Sequence, residues 1–503
     1  MSSPGIAREE EQTTTAATAV PDTALVVGWS EHEKGVERLV GSFRAIPADR
    51  RVRLAKKTSN LFRARSSDRG PGLDTSGLTR VVSVDPEART ADVQGMCTYE
   101  DLVDATLPYG LMPYVVPQLK TITLGGAVTG LGIEATSFAH GLPHESVLEM
   151  DVFTGTGEIV TARPGGTERE RTLYRGFPNS YGSLGYAVRL RIELLPVSEF
   201  VEVRHVRFDD IRELSAAMES VVTNKAFDGE RADFLDGVVF STTESYLSIG
   251  RFTDTPPAGR EPSRYDGIGD KQAIYYRSLQ HDSGTETDVL RVRDYIWRWD
   301  TDWFWCSRAF ATQNPKVRRF WPQQLLRSSF YWKIIGLDHK YDLGNKIGAL
   351  KGEGPRERVV QDVEVTIDRL PAFIDWFLEE VPIEPLWLCP LRLLDTEGAV
   401  ASGVAPGERP WPLYPLEAGT TYVNIGFWSS APISEGDEEG AWNRLIEDKV
   451  SELGGHKSLY SDAFYDAETF AALYGGEHAA RLKTEFDPAG RFPTLFEKAV
   501  QAR

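Results

Sequence analysis

Apolar positions repeat at two periods along this chain, and the switches between them mark out its elements. Alternation of period two, which puts every second side chain on one face of a strand, runs over residues 186–194. There Val188, Leu190, Ile192 and Leu194 alternate with Arg189, Arg191 and Glu193. Shorter strands are predicted over 51–54, 81–85 and 90–94, and 111–116 leads into a glycine-rich stretch. Residues 146–153 and 158–162 flank Gly155-Thr-Gly157, the residue pattern of a tight hairpin. Helical spacing puts Val36, Leu39, Val40 and Phe43 on one face, and Ser30 three residues before Glu33 predicts a capping box at the start of that helix. A second short helix is predicted over 98–107, and the polar stretch 163–171 reads as a loop. Pro196 closes this half. Beyond it, strands such as 201–206 and helices over 209–221, 370–380, 441–454 and 475–486 predict an antiparallel sheet with helices on one face. Residues 1–24 are polar and Thr/Ala-rich without a period, and are expected to form a disordered tail.

One stretch breaks both periods. Residues 115–135, VVPQLKTITLGGAVTGLGIEA, hold Gly125, Gly126, Gly130 and Gly132, with Gly141 just beyond, and carry no charge between Lys120 and Glu134. Glycine at this density allows close backbone approach and positive φ, and free N–H groups in such turns can cradle an anion. A buried Gly-rich turn would look the same. Neither the usual dinucleotide fingerprint nor a Walker-type phosphate loop is present. A second anomaly is aromatic. Between Tyr295 and Trp305 stand Trp297, Trp299, Trp303, Phe304 and Trp305, followed by Phe310, Phe320, Trp321, Phe330, Tyr331 and Trp332. Such rings either pack a core or form an exposed patch suited to lipid or a partner.

Composition narrows the classes. A formal charge of −18 and a pI near 5.1 argue against nucleic acid as a partner and against adsorption to anionic lipid by charge alone. Cys97, Cys306 and Cys389 form no C-x-x-C, no zinc pattern and no disulfide framework, and no metal site is expected. The start of the chain lacks the basic and apolar regions of a signal peptide, and no apolar run is long enough to span a bilayer. A cytoplasmic location is expected, with membrane contact at most peripheral.

The glycine run resembles the pyrophosphate-binding loop of vanillyl-alcohol-oxidase-type flavoproteins, those with a PCMH-type FAD domain. One branch, the Δ24-sterol reductases (seladin or Diminuto proteins), is similar along roughly residues 25 to 500. The matching residues are Trp29 to Gly35, Val116-Pro117, Thr123 to Gly126, Gly130 to Glu134, Gly141-Leu142 and Gly182 to Gly185. Further on come Pro385 to Pro390 and Leu459 to Asp462. The resemblance implies an α+β fold of two domains: a PCMH-type FAD domain over 25–197 and an antiparallel-sheet substrate or cap domain over 198–480, with an aromatic insert at 290–335. A segment over 481–503 is expected to return to the FAD domain. Cofactor contacts are then expected from Lys57, Thr58, Ser59, Thr121, Thr123, Leu124, Gly125, Gly126, Gly130, Gly132, Ile133, Glu134, His140, Gly182, Ser183 and Gly185. The turn at 56–65 holds no His or Cys, so the FAD is expected to be non-covalent. Unlike sterol reductases of higher organisms, the chain shows no N-terminal membrane anchor, which gives it a bacterial look.

The resemblance implies reduction of an isolated carbon–carbon double bond in a lipid, with NADPH as the reductant. No carbonyl polarises such an alkene, so protonation must precede or accompany hydride capture. That chemistry needs a buried acid, apolar walls and aromatic faces toward developing positive charge. Glu134, Asp362 and Tyr460 are the candidate acids. Glu134 reads equally as a structural carboxylate. His140 and His144, which flank Gly141, read first as structural, and Lys457 is a candidate for holding a negative group. The alkene could sit in a sterol side chain or in a methylene-branched fatty acyl chain, and the soluble, acidic character favours the second. Two rivals stand: an FAD-dependent oxidase of a sugar or polyol, and a non-catalytic binding protein on a flavin-domain scaffold.

Overall fold

The computed structural model describes residues 24–55, 71–267, 270–341, 345–346, 352, 354–394, 407–434, 436–438 and 440–500. The 1–24 tail, but for Ala24, and Lys57, Thr58 and Ser59 lie outside the described residues. The fold is built on two antiparallel sheets. The first contains β1 (Val81–Asp85), β2 (Thr90–Gln94), β3 (Leu111–Pro113), β4 (Val147–Thr154), β5 (Ile159–Ala162) and β6 (Gly185–Pro196), in the order β1–β2–β6–β4–β5 with β3 pairing the end of β6. The strong alternation at 186–194 thus forms the central strand. Arg189 on β6 is the polar tie of this sheet: its guanidinium bonds Asp92 and Asp151 at 2.6 Å and also Glu149.

The second sheet contains β7 (Phe200–Phe208), β8 (Phe234–Ser241), β9 (Glu244–Thr253), β10 (Thr285–Arg291), β11 (Arg356–Thr366), β12 (Leu386–Arg392), β13 (Thr421–Pro432) and β14 (His456–Lys457). Its order is β10–β7–β9–β8–β12–β13–β11–β14. Because side chains alternate across a strand, the two faces differ. One carries Leu235, Val239, Val363, Leu388, Ile425 and Phe427 and packs on helices Ile211–Asn224, Leu370–Glu380 and Ala441–Glu452. The other carries Asp236, Trp387, Cys389, Asn424, Trp428, Asp362 and Glu364, all buried. A sheet face this polar, turned inward toward the rest of the molecule, is the fold's main departure from an ordinary core.

Two helix starts differ from expectation. The first helix is Trp29–Arg44, one residue earlier than the expected cap, with Gly28 at the cap position (φ 79°) and no capping side chain. Ser30 therefore sits inside the helix. The polar stretch after Ala162 is not all loop: Glu168–Gly176 is a helix opened by a formed capping box, with Thr167 accepting from Glu170 N–H and Glu170 accepting from Thr167 N–H. The remaining predicted helices and strands are present, with ends shifted by one to a few residues.

Candidate active site

The glycine run folds as a tight crossing of backbone. Thr123 caps a six-residue helix, Leu124–Thr129, by accepting from Gly126 N–H at 3.3 Å. A Cβ on Gly125 would lie 2.5 Å from the Gly95 carbonyl oxygen, and one on Gly132 2.6 Å from Pro143. These two glycines serve packing. Gly126 is different: it is exposed, and a Cβ there would meet only the Thr123 hydroxyl, at 2.9 Å. Of the glycines in this stretch only Gly141 has positive φ, 67°, so the expected left-handed turns are not what glycine supplies within 125–132. The left-handed backbone lies instead at Asn179, Tyr181 and Gly182 (φ 61°, 48° and 73°). That loop meets the glycine helix, since Tyr181 N–H donates to Thr129 O at 2.7 Å and the Tyr181 ring closes over Gly130.

The structure thus brings Thr123, Leu124, Gly125, Gly126, Gly130, Gly132 and Ile133 together with Gly182, Ser183 and Gly185. The far side of the second loop is clamped from the C-terminal segment: Lys498 Nζ donates to the carbonyls of Tyr181 and Gly182, and Lys483 Nζ to that of Ser183. Thr121 is half-buried at the entry to the run. His140 stands apart from both loops, with its ring on Tyr114 (4.8 Å) beside Lys225 and with burial lowering its pKa to about 4. His144 packs between Trp411 and Tyr414 and is held neutral by burial, its pKa lowered to about 3. Both imidazoles are packed on aromatic rings and favoured in the neutral form by burial.

At the end of the run, the Ala135 carbonyl accepts from Leu235 N–H of β8 at 2.7 Å, so the loop is sewn onto the second sheet. Glu134 is thereby delivered to the polar sheet face. Its Oε1 accepts from Arg298 Nη2 at 3.1 Å, and the same nitrogen donates to Asp236 Oδ2 at 2.7 Å. Trp387 Nε1 donates to that Asp236 oxygen at 3.2 Å. Arg298 is wholly buried, with the ring of Tyr295 4.1 Å from its guanidinium carbon. Burial pushes the Glu134 carboxyl up to about 7, against the pull of Arg298. Gln118 lies beside it and favours its charged form, and among the described residues Glu134 Oε2 is buried with no hydrogen bond of good geometry.

Asp362 and Tyr460 form a second group on the same sheet face. Asp362 Oδ1 accepts from Asn424 Nδ2 at 3.4 Å, and Trp428 Nε1 donates to the Tyr460 hydroxyl at 2.9 Å. Burial raises the Asp362 carboxyl to about 7, opposed by hydrogen bonds from Asn424 and Tyr460. Cross-strand register sets Trp387, Gly426 and Asp362 in one row over β12, β13 and β11. A side chain at Gly426 would strike Asp362 and Trp428, so glycine keeps that row open. The two groups border one aromatic cluster: Phe304 stacks on Trp428 at 4.3 Å and on Trp299 at 4.7 Å, and meets Trp387 at 5.4 Å. Trp303 and Phe304 both have positive φ (43° and 56°), a costly backbone for bulky side chains. The Trp297 to Trp305 rings are buried and pack in the core, not in an exposed patch. Lys457 is already paired with Glu447 at 2.8 Å.

Sequence reasoning missed Arg298, Asp236, Trp387 and Trp428. Arg298 had a visible signal, a lone cation inside a tryptophan run. Trp387 lies within the Pro385 to Pro390 motif. Asp236 and Trp428 had none, because only the sheet register brings them to the site. The open backbone at Gly126 and the orphaned carboxyl and amide atoms of Glu134 and Gln118 are features that a large polar cofactor would complete.

This architecture is that of an FAD-dependent oxidoreductase: residues 32–163 match the family described as "FAD binding domain". Along most of its length the chain is similar to Δ24-sterol reductases. It is 23% identical to the Delta(24)-sterol reductase of Arabidopsis thaliana, over 94% of this chain and 85% of that one. It is likewise 23% identical to that of Homo sapiens, over 84% and 77%. A cytokinin dehydrogenase of Oryza sativa is 27% identical over 43% of this chain and 39% of its own.

Proposed function

We propose that this protein reduces an isolated carbon–carbon double bond in a lipid, either a methylene-branched fatty acyl chain or a Δ24-type sterol side chain. The acyl chain is the favoured substrate and NADPH the reductant. The observation that carries this reading is the buried carboxyl of Asp362, raised by burial with no cation beside it among the described residues, on a sheet face lined by Trp387, Trp428 and Phe304. Similarity to Δ24-sterol reductases over most of the chain supports it. Non-covalently bound FAD would be held by 121–135 and 182–185, with Lys57, Thr58 and Ser59 facing phosphate, and would supply the hydride. The reading divides the chain into an FAD domain over 25–197, a substrate domain over 198–480 and a returning segment over 481–503.

Asp362, neutral below pH 7, gives its proton to the less substituted alkene carbon. The indole and phenyl faces stabilise the positive charge that develops on the other carbon, which then accepts hydride. Tyr460 and Asn424 hold the Asp362 carboxylate until solvent returns a proton. Glu134, tied to Arg298, positions the loop. Anaerobic incubation with NADPH and a methylene-branched phospholipid, or a Δ24 sterol, in deuterated water should give the saturated chain with one solvent deuterium. Oxidation of a polyol with peroxide release, and no reduction of either lipid, would replace this reading with the oxidase rival.

A further inference from the structure

The aromatic run turns inward, but the segment after it does not. Within residues 315–341 the chain exposes Phe320 (84%), Leu337 (52%) and Tyr341 (48%), while the large hydrophobics before and after it are mostly covered. Phe320 ends the helix Pro315–Phe320, beside exposed Lys316 and Arg319. In the helix Ser328–Tyr341, Tyr331, Trp332 and Ile335 pack inward. Lys333, Leu337 and Tyr341, four residues apart, share the outward stripe. The charge of this stretch also departs from the rest. It holds six basic residues (Lys316, Arg318, Arg319, Arg327, Lys333 and Lys340) against one acidic, Asp338, in a chain of −18; Arg318 is buried on Asp302 and Arg327 pairs with Glu100, which leaves Lys316, Arg319 and Lys333 as the exposed cations.

The stretch is fastened at its inner end to the candidate active site. Ser328 donates to Asp300, whose Oδ1 also accepts from Lys120 N–H at the entry of the glycine run. Arg327 pairs with Glu100 at 3.1 Å, and Glu100 lies 3.6 Å from Lys120 Nζ. A surface that couples exposed rings and aliphatics with basic side chains fits the interface of an anionic bilayer. Among the described residues no helix is long and apolar enough to cross a membrane.

We propose that residues 315–341 are a peripheral docking surface for anionic phospholipid bilayers, with Phe320, Leu337 and Tyr341 entering the interface and Lys316, Arg319 and Lys333 meeting the headgroups. The argument from net charge against adsorption to anionic lipid does not extend to this stretch, whose exposed basic side chains run against the charge of the whole chain. It rests on and deepens the lipid-substrate reading, since it would hold the protein at the layer where such a substrate lies, but it is tested without turnover. The full chain, loaded with FAD, should float with phosphatidylglycerol-containing vesicles and be released by high salt. It should stay behind with pure phosphatidylcholine. Each basic side chain near the surface contributes about fivefold to binding, so Lys316→Glu with Arg319→Glu should cut binding by well over that factor. Phe320→Ser with Leu337→Ser should do the same while flavin content and reduction of a micelle-dispersed lipid stay at wild-type levels. Absence of wild-type flotation, equal binding to both vesicle types, or wild-type binding by both variants would overturn the assignment. Concentration-dependent self-association abolished by the Phe320→Ser and Leu337→Ser pair would overturn it in favour of a second copy of this chain. If the vesicles bind and no lipid is reduced, the reductase reading fails and the docking surface stands.

Discussion

Replacing Asp362 by Asn tests the proton donor with little steric change. The amide oxygen can still accept from Asn424, and the row over Trp387 and Gly426 keeps its volume. Burial raises this carboxyl to about 7, so it is neutral and able to donate below that pH and ionised above it. The wild-type rate of alkene reduction should therefore fall as pH rises through 7, and loss of a positioned acid should lower the rate about 10²–10⁴-fold. Stability moves in the same window. A carboxyl whose folded pKa is raised stabilises the fold fully below its unfolded pKa and loses that contribution as pH rises toward 7. At about 1.4 kcal/mol per pH unit, the interval from the ordinary Asp range amounts to about 4 kcal/mol as an upper bound. Asp362→Asn should remove this dependence, leaving the variant less pH-sensitive to urea between pH 4 and 7. The assay is rapid mixing of pre-reduced protein with the alkene, following the return of oxidised flavin absorbance across pH. An unchanged rate with the falling limb intact would refute the assignment. If the limb survives in Asp362→Asn and vanishes in Glu134→Gln, the acid is Glu134, whose carboxyl is raised to a similar value.

Three further outcomes are expected. Gly126→Asp sets a carboxylate on the exposed backbone of the glycine run, and dialysed protein should lose its FAD absorbance while Gly126→Ala, which meets only Thr123, retains most of it. Acid precipitation of the wild type should release free FAD into the supernatant, with no fluorescence left on the denatured band. Arg298→Met leaves Glu134 and Asp236 buried without their cation and should cost about 3–5 kcal/mol in urea unfolding, with partial recovery on adding Glu134→Gln and Asp236→Asn.

Much of the fold was legible because its signal was local. Alternation at 186–194 yielded β6, and Gly155-Thr-Gly157 yielded the β4–β5 hairpin, since both depend on neighbours in sequence. The helix starts show the limit of that logic. Ser30 and Glu33 have the capping spacing, yet Gly28 turns the chain first and the helix opens at Trp29. Thr167 and Glu170 have the same spacing, and there the box forms, in a stretch whose polarity suggested a loop. The site was legible only in part. The meeting of 121–135 with 179–185 follows from family-like motifs, whereas the Glu134–Arg298–Asp236 contact joins residues 164 and 62 positions apart. Nothing local marks Asp236. Likewise the spacing of the tryptophan run could not tell a buried cluster from an exposed patch, because the rings are covered by residues distant in sequence such as Trp387 and Trp428.

The two raised carboxyls reach similar acidity by different routes, and the difference bears on which one works. Glu134 is pushed up by burial and by Asp236 but held down by Arg298. Its charged form has a cation at 3.1 Å, so moving its proton away is compensated at once by the ion pair. That same pair resists reprotonation and fixes the side chain, as suits a group that anchors the glycine run to β8. For Asp362 the largest effects are burial and neutral hydrogen bonds from Asn424 and Tyr460. Two neutral donors can stabilise its anion for the lifetime of a transfer without trapping it there, and the wall of Trp387, Trp428 and Phe304 limits the water that would compete for the proton. A donor that must be recharged every cycle is better placed beside hydroxyl and amide groups than beside a buried guanidinium, which is why we propose Asp362, and not Glu134, as the donor.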